Sequence, residues 1–398
     1  MNKFKNMLSY KRGDFMSTGI ICEYNPFHNG HLYHINKIKE LYPNDTIVLV
    51  MSSHFLQRGD SSLINKWDKT DIALSLGVDI VIELPFVFSS QGADIFAKGS
   101  IEILKNMNVD RLIFGSETNN IDTLTAIANI QINNKEFDEV VKKYLEEGIS
   151  YPTALSKAVY TLTNIKVEKP NDLLGVSYIK EIIIQKANIT PMSIKRSNDF
   201  HSLELDNDIV SATSIRNALK NRTEIQRFVP QIVYDYLQKE ISFSDDYFGL
   251  LKYKIISSIN NLNTYQTVDE GIENRIKKYI YTSNSLDELI ENIKTKRYTY
   301  NKVKRMLTHI LCGFTKEEAL RNKTNEYIRI LGFNEKGKKY LNIVKKESSL
   351  PIITGYSNIN SEILDIERRV SSIYFLIFKQ KNKNYLMEME YKHKPIIK

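Results

Sequence analysis

Between residues 18 and 216, apolar runs of strand length alternate with stretches whose apolar positions recur at helical spacing. T-G-I-I-C-E-Y (18–24) reads as a buried strand, followed by a helix from about Gly30 to Leu41. T-I-V-L-V-M (46–51) is a second strand and D-K-T-D-I-A-L-S-L (68–76) a second helix. D-I-V-I-E-L (79–84) is a third strand, 92–106 a helix, and R-L-I-F-G-S (111–116) a fourth strand. Residues 121–148 read as a more polar helical insertion or lid. After the turn at Lys169-Pro170-Asn171-Asp172, a helix is expected over 173–187 and a fifth strand at P-M-S-I-K-R (191–196). S-A-T-S-I-R (211–216) opens another helix, with Ser or Thr available as its N-cap.

Strands separated by helices imply right-handed crossovers, hence an α/β fold with a doubly wound parallel sheet. Ligands of such sheets bind beyond the carboxyl ends of the strands, at the switch point. Past about residue 225 the strand signal fades. Tyr-, Leu- and Ile-rich helical periods run to about 349, and the tail 351–398 is mixed, with a possible strand at 373–379. The expected organisation is a flexible extension (1–16), an α/β catalytic domain (17–225) and a mainly helical basic region (226–398). Residues 1–15 carry charges but no apolar core of a secretory signal, and Met16 is an alternative start.

Charge is unevenly placed. Residues 221–398 carry 31 Lys+Arg against 21 Asp+Glu, whereas 1–220 carry 24 against 26. A basic module joined to a near-neutral one points to a polyanionic partner; the plain alternative is solubility in a Lys-rich chain. No apolar run approaches the ~18–20 residues a membrane helix needs, so no membrane association is expected. The 2 cysteines, Cys22 and Cys312, lie far apart, which excludes a disulfide framework or a structural zinc cluster and fits a reducing cytoplasm.

The candidate chemistry sits where the first strand gives way to its helix, in N-P-F-H-N-G-H (25–31). Pro26 fixes the approach to the turn, and Asn29-Gly30 permits a tight bend. The following helix start presents N–H groups and a dipole that favour an anion. His28 and His31 can donate hydrogen bonds to phosphate oxygens, and Gly30 removes a Cβ that would block a base or ribose. Such a site suits a nucleoside triphosphate reacting at its α-phosphorus, where positioning and charge neutralisation carry the catalysis. A zinc site would need further ligands, and no Cys or acidic partner stands at metal spacing, so no metal site is expected. A second cradle is S-A-T-S-I-R, matching the [ST]-x-T-x-I-R pattern of nucleotidyltransferases. Its Ser214 and Arg216 would hold the β- and γ-phosphates. The lysine-rich K-M-S-K-S loop of class I aminoacyl-tRNA synthetases is absent.

Taken together, E-Y-N-P-F-H-N-G-H (23–31), I-N-K-W (64–67), V-I-E-L-P-F (81–86), F-S-S-Q-G-A-D-I-F-A (88–97), F-G-S-E (114–117), K-P-N-D-L-L-G (169–175) and K-R-Y-T-Y (296–300) resemble the bacterial tRNA(Met) cytidine acetate ligases. The resemblance runs in order over nearly the whole chain after Met16. It implies a nucleotidyltransferase Rossmann-like sheet and an enzyme that makes acetyl-adenylate from ATP and free acetate, releasing pyrophosphate. The acetyl group then passes to N4 of the wobble cytidine of elongator tRNA(Met), leaving N4-acetylcytidine and AMP. It implies no acetyl-CoA; Mg²⁺ is expected with ATP, as is usual, and no obligate protein partner is evident from the sequence. The family's ATP-contacting loop maps onto Ile21, Cys22, Glu23, Tyr24, Asn25, Pro26 and Phe27, then His28, Asn29, Gly30, His31, Leu32, Tyr33 and His34. Its other ATP contacts map onto Gly115, Asn171 and Arg196. Gly115 would let the strand's end approach adenine or ribose, Asn171 would bond the nucleotide, and Arg196 would pair with phosphate or acyl carboxylate.

The run from Lys294 to Arg305 packs Lys294, Lys296, Arg297, Lys302, Lys304 and Arg305 around Tyr298 and Tyr300. Basic residues neutralise phosphates and tyrosines stack on unpaired bases, so tRNA contact is expected there. The alternative is a solvated helix face with tyrosine packed inward. Lys336 to Lys346 is a weaker run. His201 is a candidate near the substrate pocket, and Lys66 a candidate phosphate ligand. His54, His309 and His393 read as structural or surface residues, and Cys22 as a core thiol. Glu102 and Glu117 are not paired at a spacing that demands acid–base work. Two other functions stay open: an adenylyltransferase joining AMP to a small phosphorylated metabolite, and a nucleotide-regulated RNA-binding protein without turnover.

Overall fold

The structure is a computed structural model that describes residues 16–196, 210–356 and 359–398. Its first half alternates β1 (Ser17–Cys22), α1 (Asn29–Leu41), β2 (Thr46–Ser52), α2 (Lys66–Ser75), β3 (Ile80–Leu84), α3 (Phe86–Ser89), α4 (Ala93–Asn106) and β4 (Arg111–Ser116). Helices α5 (Ile121–Asn133) and α6 (Lys135–Glu146) fill the expected insertion, and α7 (Tyr151–Thr163) follows it. Then come α8 (Pro170–Ile184), β5 (Thr190–Lys195) and α9 (Ala212–Lys220).

The sheet order is β5-β4-β1-β2-β3 on this side, and every neighbouring pair among these strands is parallel. The chain winds one way from β1 to β3 and then returns to lay β4 on the other side of β1. The switch point therefore opens between the carboxyl ends of β1 and β4. β2 and β3 are buried along their whole length, because helices cover both faces. Alternate residues of β2 serve alternate cores: Val48 and Val50 pack with α4, while Ile47, Leu49 and Met51 pack with Ile35 and Ile38 of α1.

The second half is mainly helical: α10 (Gln231–Leu237), α11 (Phe248–Ser257), α12 (Ile272–Tyr279), α13 (Leu286–Ile293), α14 (Tyr300–Leu311) and α15 (Lys316–Arg321). It then adds β6 (Ile328–Phe333), α16 (Glu335–Val344), β7 (Ile352–Ile353), α17 (Glu362–Phe375), α18 (Gln380–Lys392) and β8 (Ile396–Ile397). β6 joins the same sheet, antiparallel to β3, so the sheet extends across the boundary expected near residue 225. The helical reading of this stretch missed β6, whose short apolar run is interrupted by Arg329. The strand expected at 373–379 is instead the end of α17 and the turn after it. Its apolar residues, including Val370, Tyr374 and Phe375, recur at helical spacing and are buried.

Arg329 is tolerated inside the sheet because it is paired. Its guanidinium donates to Glu83 (3.0 Å) and Glu390 (2.6 Å), and the Lys66 ammonium donates to the same carboxylates at 2.6 Å each. Burial alone would raise Glu390, but Lys66 and Arg329 hold its carboxyl below the ordinary value. Glu367 stands beside them, pushed up to about 8 by burial and by Glu83, and accepts the Phe86 N–H at 2.7 Å. The cluster ties α2, β3, β6, α17 and α18 together. It also corrects the reading of Lys66, whose side chain is fully buried in this cluster.

Candidate active site

β1 ends at Cys22, and six residues later His28 caps α1. The cap is reciprocal. The Gly30 N–H donates to His28 Nδ1 at 3.0 Å, and the His28 N–H donates to His31 Nδ1 at 3.2 Å. An imidazole nitrogen that accepts a backbone N–H carries no proton, so each neutral ring keeps its hydrogen on Nε2. Local chain geometry therefore fixes both tautomers and leaves each Nε2–H as a donor. Burial, reinforced by Arg196 and Arg216, pulls His28 down to about 3. Burial, then His28, Arg196 and His34, holds His31 well below the ordinary imidazole range. Both rings are neutral at physiological pH. Tyr24 and Phe27 pack against His31 with ring centroids 4.8 and 5.5 Å away.

A cavity opens at the switch point. From β1 and α1 it is lined by Ile21, Cys22, His28, Gly30, His31, Tyr33 and His34. Gly115 comes from the end of β4, Asn171 from the start of α8, Arg196 from the end of β5, and Ser211 from the cap of α9. His34 lies one turn beyond His31, pulled to about 4 by burial and by Arg196, and its buried Nε2 has no partner among the described residues. Cys22 is the last residue of β1 and reaches the cavity wall, so it is not purely a core thiol; burial pushes it up to about 12.

Other residues of the loop hold it from behind. Asn25 Oδ1 accepts the Leu63 N–H (2.8 Å), its Nδ2 donates to Ser61 O (3.3 Å), and its carbonyl accepts Arg216 Nη1 (2.8 Å). Glu23 accepts the Gln57 N–H at 2.7 Å and is raised chiefly by burial. Asn29 donates to Arg227 O at 2.8 Å. Tyr24, Pro26 and Phe27 are buried, and Leu32 packs against the α1 core.

A carboxylate to which the sequence assigned no acid–base role sets the opposite wall. Glu117 accepts from Asn171 Nδ2 at 2.6 Å and from the Asp172 N–H at 3.0 Å. Asp172 reciprocates by accepting the Glu117 N–H (3.0 Å) and Ser116 Oγ (2.5 Å). This exchange fastens the end of β4 to the start of α8. It presents Asn171 Oδ1 to Arg196 Nη1 at 3.4 Å. A Cβ on Gly115 would meet Arg196 Cγ and Cδ at 3.2 and 3.3 Å, so this glycine makes room for the arginine stem. The F-G-S-E and K-P-N-D motifs held the signal for Glu117, but only contact between them reveals it.

The second cradle is arranged differently from expectation. Ser214 is buried under the first turn of α9, its N–H donating to Ser211 Oγ at 3.1 Å, and Ser211 takes its place at the cavity. Arg216 donates to Asn25 O and to Thr213 Oγ1 (3.0 Å) and lines a second, polar cavity on the other side of that turn.

In the basic run, Lys294, Lys296 and Arg297 are exposed; Lys294 pairs with Glu291 at 2.5 Å and Arg297 with Glu270 at 3.2 Å. Tyr298 is 4% exposed, and its hydroxyl donates to Asp269 O at 2.8 Å. It is therefore placed to support this segment, not to stack on a base. Lys302 lies over its ring, 3.8 Å from the centroid. Arg305 is half-buried, lowered to about 10 by burial and by Arg58. His54 stacks on Tyr374, His393 on Trp67, and His309 bonds Ser90 O at 2.7 Å through Nε2, so all three are structural. His201 lies outside the described residues. Among the described residues no group of three or more His, Cys, Asp or Glu could hold a metal, and no helix is long and apolar enough to cross a membrane.

A mainly parallel sheet with capped histidines at its first strand–helix junction, opposite an arginine from the fifth strand, defines a nucleotidyl-transferase type of protein. The sequence pattern described as HIGH Nucleotidyl Transferase matches residues 15–389. The tRNA(Met) cytidine acetate ligase of Geobacillus sp. (strain WCH70) is 39% identical, covering 96% of this chain and 99% of that one. The enzyme of the same name from Clostridium acetobutylicum is 40% identical over 92% and 96%. The crystal structure of apo Thermotoga maritima TmcAL superposes with a TM-score of 0.89 at 29% identity, covering 96% of this chain and 99% of that one. The same protein bound with alpha-thio ATP gives a TM-score of 0.88. The chain belongs to the HIGH nucleotidyl transferase family and, within it, to the tRNA(Met) cytidine acetate ligases.

Proposed function

We propose that this protein is an ATP-dependent ligase that activates acetate as acetyl-adenylate and acetylates N4 of the wobble cytidine of elongator tRNA(Met). The observation that carries the reading is the pair of neutral imidazoles fixed as Nε2–H donors at the start of α1, across the switch-point cavity from Arg196. The relatives named tRNA(Met) cytidine acetate ligase support the choice of acyl group and acceptor.

In the first step an acetate oxygen attacks the α-phosphorus and the bond from that phosphorus to the α,β-bridging oxygen breaks, so pyrophosphate leaves. No enzyme nucleophile is required. His28 and His31 donate through Nε2–H to phosphate oxygens, and the N-terminus of α1 adds its dipole. Arg196, held by Asn171 over Gly115, pairs with the acyl phosphate or the incoming carboxylate. In the second step the N4 lone pair attacks the acyl carbon, the acyl–oxygen bond breaks, AMP leaves, and N4 gives up one proton. Mg²⁺ would enter with ATP as part of that substrate.

Lys294, Lys296, Arg297, Lys302 and Arg305 belong to the tRNA-binding surface of the second half, residues 226–398. The tRNA substrate supports a cytoplasmic setting. The test is nucleoside mass spectrometry of tRNA(Met) after incubation with ATP and isotope-labelled acetate. Labelled N4-acetylcytidine with stoichiometric AMP is the expected result. An adenylylated small molecule, or no acetate-dependent pyrophosphate release, would overturn the assignment.

A further inference from the structure

The second cavity lies on the far side of the first turn of α9 from the switch-point cavity. Ser211 lines the first cavity; Thr213 and Arg216, further along α9, line the second. Arg216 also bonds the carbonyl of Asn25, three residues before His28. Its charge is felt on both sides. At His28 it adds to burial and Arg196, and at Asp60, where burial pushes the carboxyl up, it joins Lys304 in holding it down.

The lining is polar but not a polyanion's site. Arg58, Arg216, Lys220 and Lys304 face Asp60, Asp245 and Asp287 within one cavity. Most of these charges are already paired: Lys304 with Asp60, and Lys220 with Asp245 at 2.6 Å. With those pairs formed the cavity carries little net charge, and an uncharged ligand with donors and acceptors on one edge meets both signs. Two aromatic side chains, Phe243 and Tyr300, line the same cavity. The Tyr300 hydroxyl is tied to Asp287, which holds the ring in place. Ser61 lines it too; it is 4% exposed, and its Oγ has no hydrogen-bond partner among the described residues. A buried hydroxyl left unpaired is costly, and a ligand's polar edge would satisfy it.

We propose that this cavity receives the acceptor base: a single cytosine turned out of its stack, its flat face against Phe243 and Tyr300 and its polar edge read by Asp60, Lys304 and Ser61. Cytosine offers an exocyclic amine donor beside ring nitrogen and carbonyl acceptors, which complements a carboxylate beside an ammonium and a hydroxyl. Uracil places a carbonyl where cytosine has its amine, opposite the carboxylate, and is disfavoured. Extrusion of the base lets chemistry occur on an amine that is otherwise paired or stacked, and aromatic faces compensate the lost stacking. This assignment rests on the reading of the protein as a cytidine-acetylating ligase.

Two rates separate the cavity from that reading: acetate-dependent ATP–pyrophosphate exchange, which needs no tRNA, and acetyl transfer to tRNA(Met). In Asp60→Asn, transfer should fall about tenfold or more relative to exchange measured on the same preparation. In Ser61→Ala, the relative fall should be about threefold. An anticodon stem-loop with uridine at the acceptor position should bind the unaltered protein several-fold more weakly than the cytidine form, and this preference should vanish in Asp60→Asn. Equal losses of exchange and transfer in both variants would make the cavity part of the phosphate site and overturn the proposal. Unchanged ratios with an intact C-over-U preference would do so as well. If the unaltered protein exchanges no pyrophosphate with acetate, the functional reading falls first and this assignment with it.

Discussion

The imidazoles of His28 and His31 lie stacked, centroids 3.8 Å apart and planes 30° from parallel. At that separation two charged rings would repel strongly, and burial already keeps both neutral. The pair thus supplies hydrogen bonds rather than positive charge, and the charge at the site comes from Arg196. His31→Ala should lower acetate-dependent pyrophosphate exchange about a hundredfold or more, while leaving tRNA affinity within twofold. Because neither ring titrates near neutrality, the exchange rate of the unaltered protein should show no inflection around pH 6.5. A limb there that disappears in the alanine variant would refute the neutral-donor role.

Gly115 and Arg196 give a sharper test of the nucleotide site. Gly115→Ala puts a methyl group where the arginine stem passes, at 3.2 Å from Cγ. The expected outcome is a KM for ATP raised about tenfold, with thermal stability within a few degrees of the parent, measured by exchange kinetics and calorimetry. Glu117→Gln should act in the same direction by loosening Asn171.

The buried cluster predicts opposite results for two of its members. Lys66→Met leaves Glu83 and Glu390 facing Arg329 alone and should cost about 3–5 kcal/mol of unfolding free energy. Glu367, raised to about 8, is protonated at neutral pH. A raised carboxyl contributes stability below its ordinary value of 4.5 and loses it as pH climbs through about 8. Glu367→Gln should therefore gain stability relative to the parent between pH 5 and pH 8, read from urea midpoints. A constant difference across that range would show that Glu367 does not hold its proton.

Acid should destabilise the fold through histidine. His28, His34 and His309 are lowered to about 3, about 4 and about 4 from 6.5, chiefly by burial, and His31 and His54 lie lower than usual for the same reason. The unfolded chain binds these protons first, so stability is present above about 6.5 and is lost as pH falls towards 4. Unfolding free energy against pH should show uptake of several protons near pH 5. Uptake of a single proton would contradict the burial of these rings.

For the tRNA surface, replacing Lys294, Lys296 and Arg297 together by alanine should weaken tRNA binding and reduce the salt slope by about two to three units, since each is exposed. Exchange kinetics should be unaltered within twofold. Tyr298→Phe should leave tRNA affinity unaffected and lower stability modestly, because its hydroxyl is engaged with Asp269.

The alternation of strands and helices through residue 196, and the place of His28 and His31 after the first strand, followed from the sequence alone. Periodicity records which face of an element is apolar, and the cap that fixes the imidazole tautomers spans only residues 28 to 31. Folding alone decided what stands across from those faces. Arg196 and Asn171 join the histidines in one cavity from elements far along the chain, Asn171 held by Glu117 in an exchange between the end of β4 and the start of α8. Arg329 sits inside a strand because carboxylates distant in sequence neutralise it, and Lys66 and Tyr298 turned inward for want of solvent, not of polarity. A residue's own chemistry is written at its position; whether that chemistry meets a partner, water or a ligand depends on long-range contact, which no local pattern encodes.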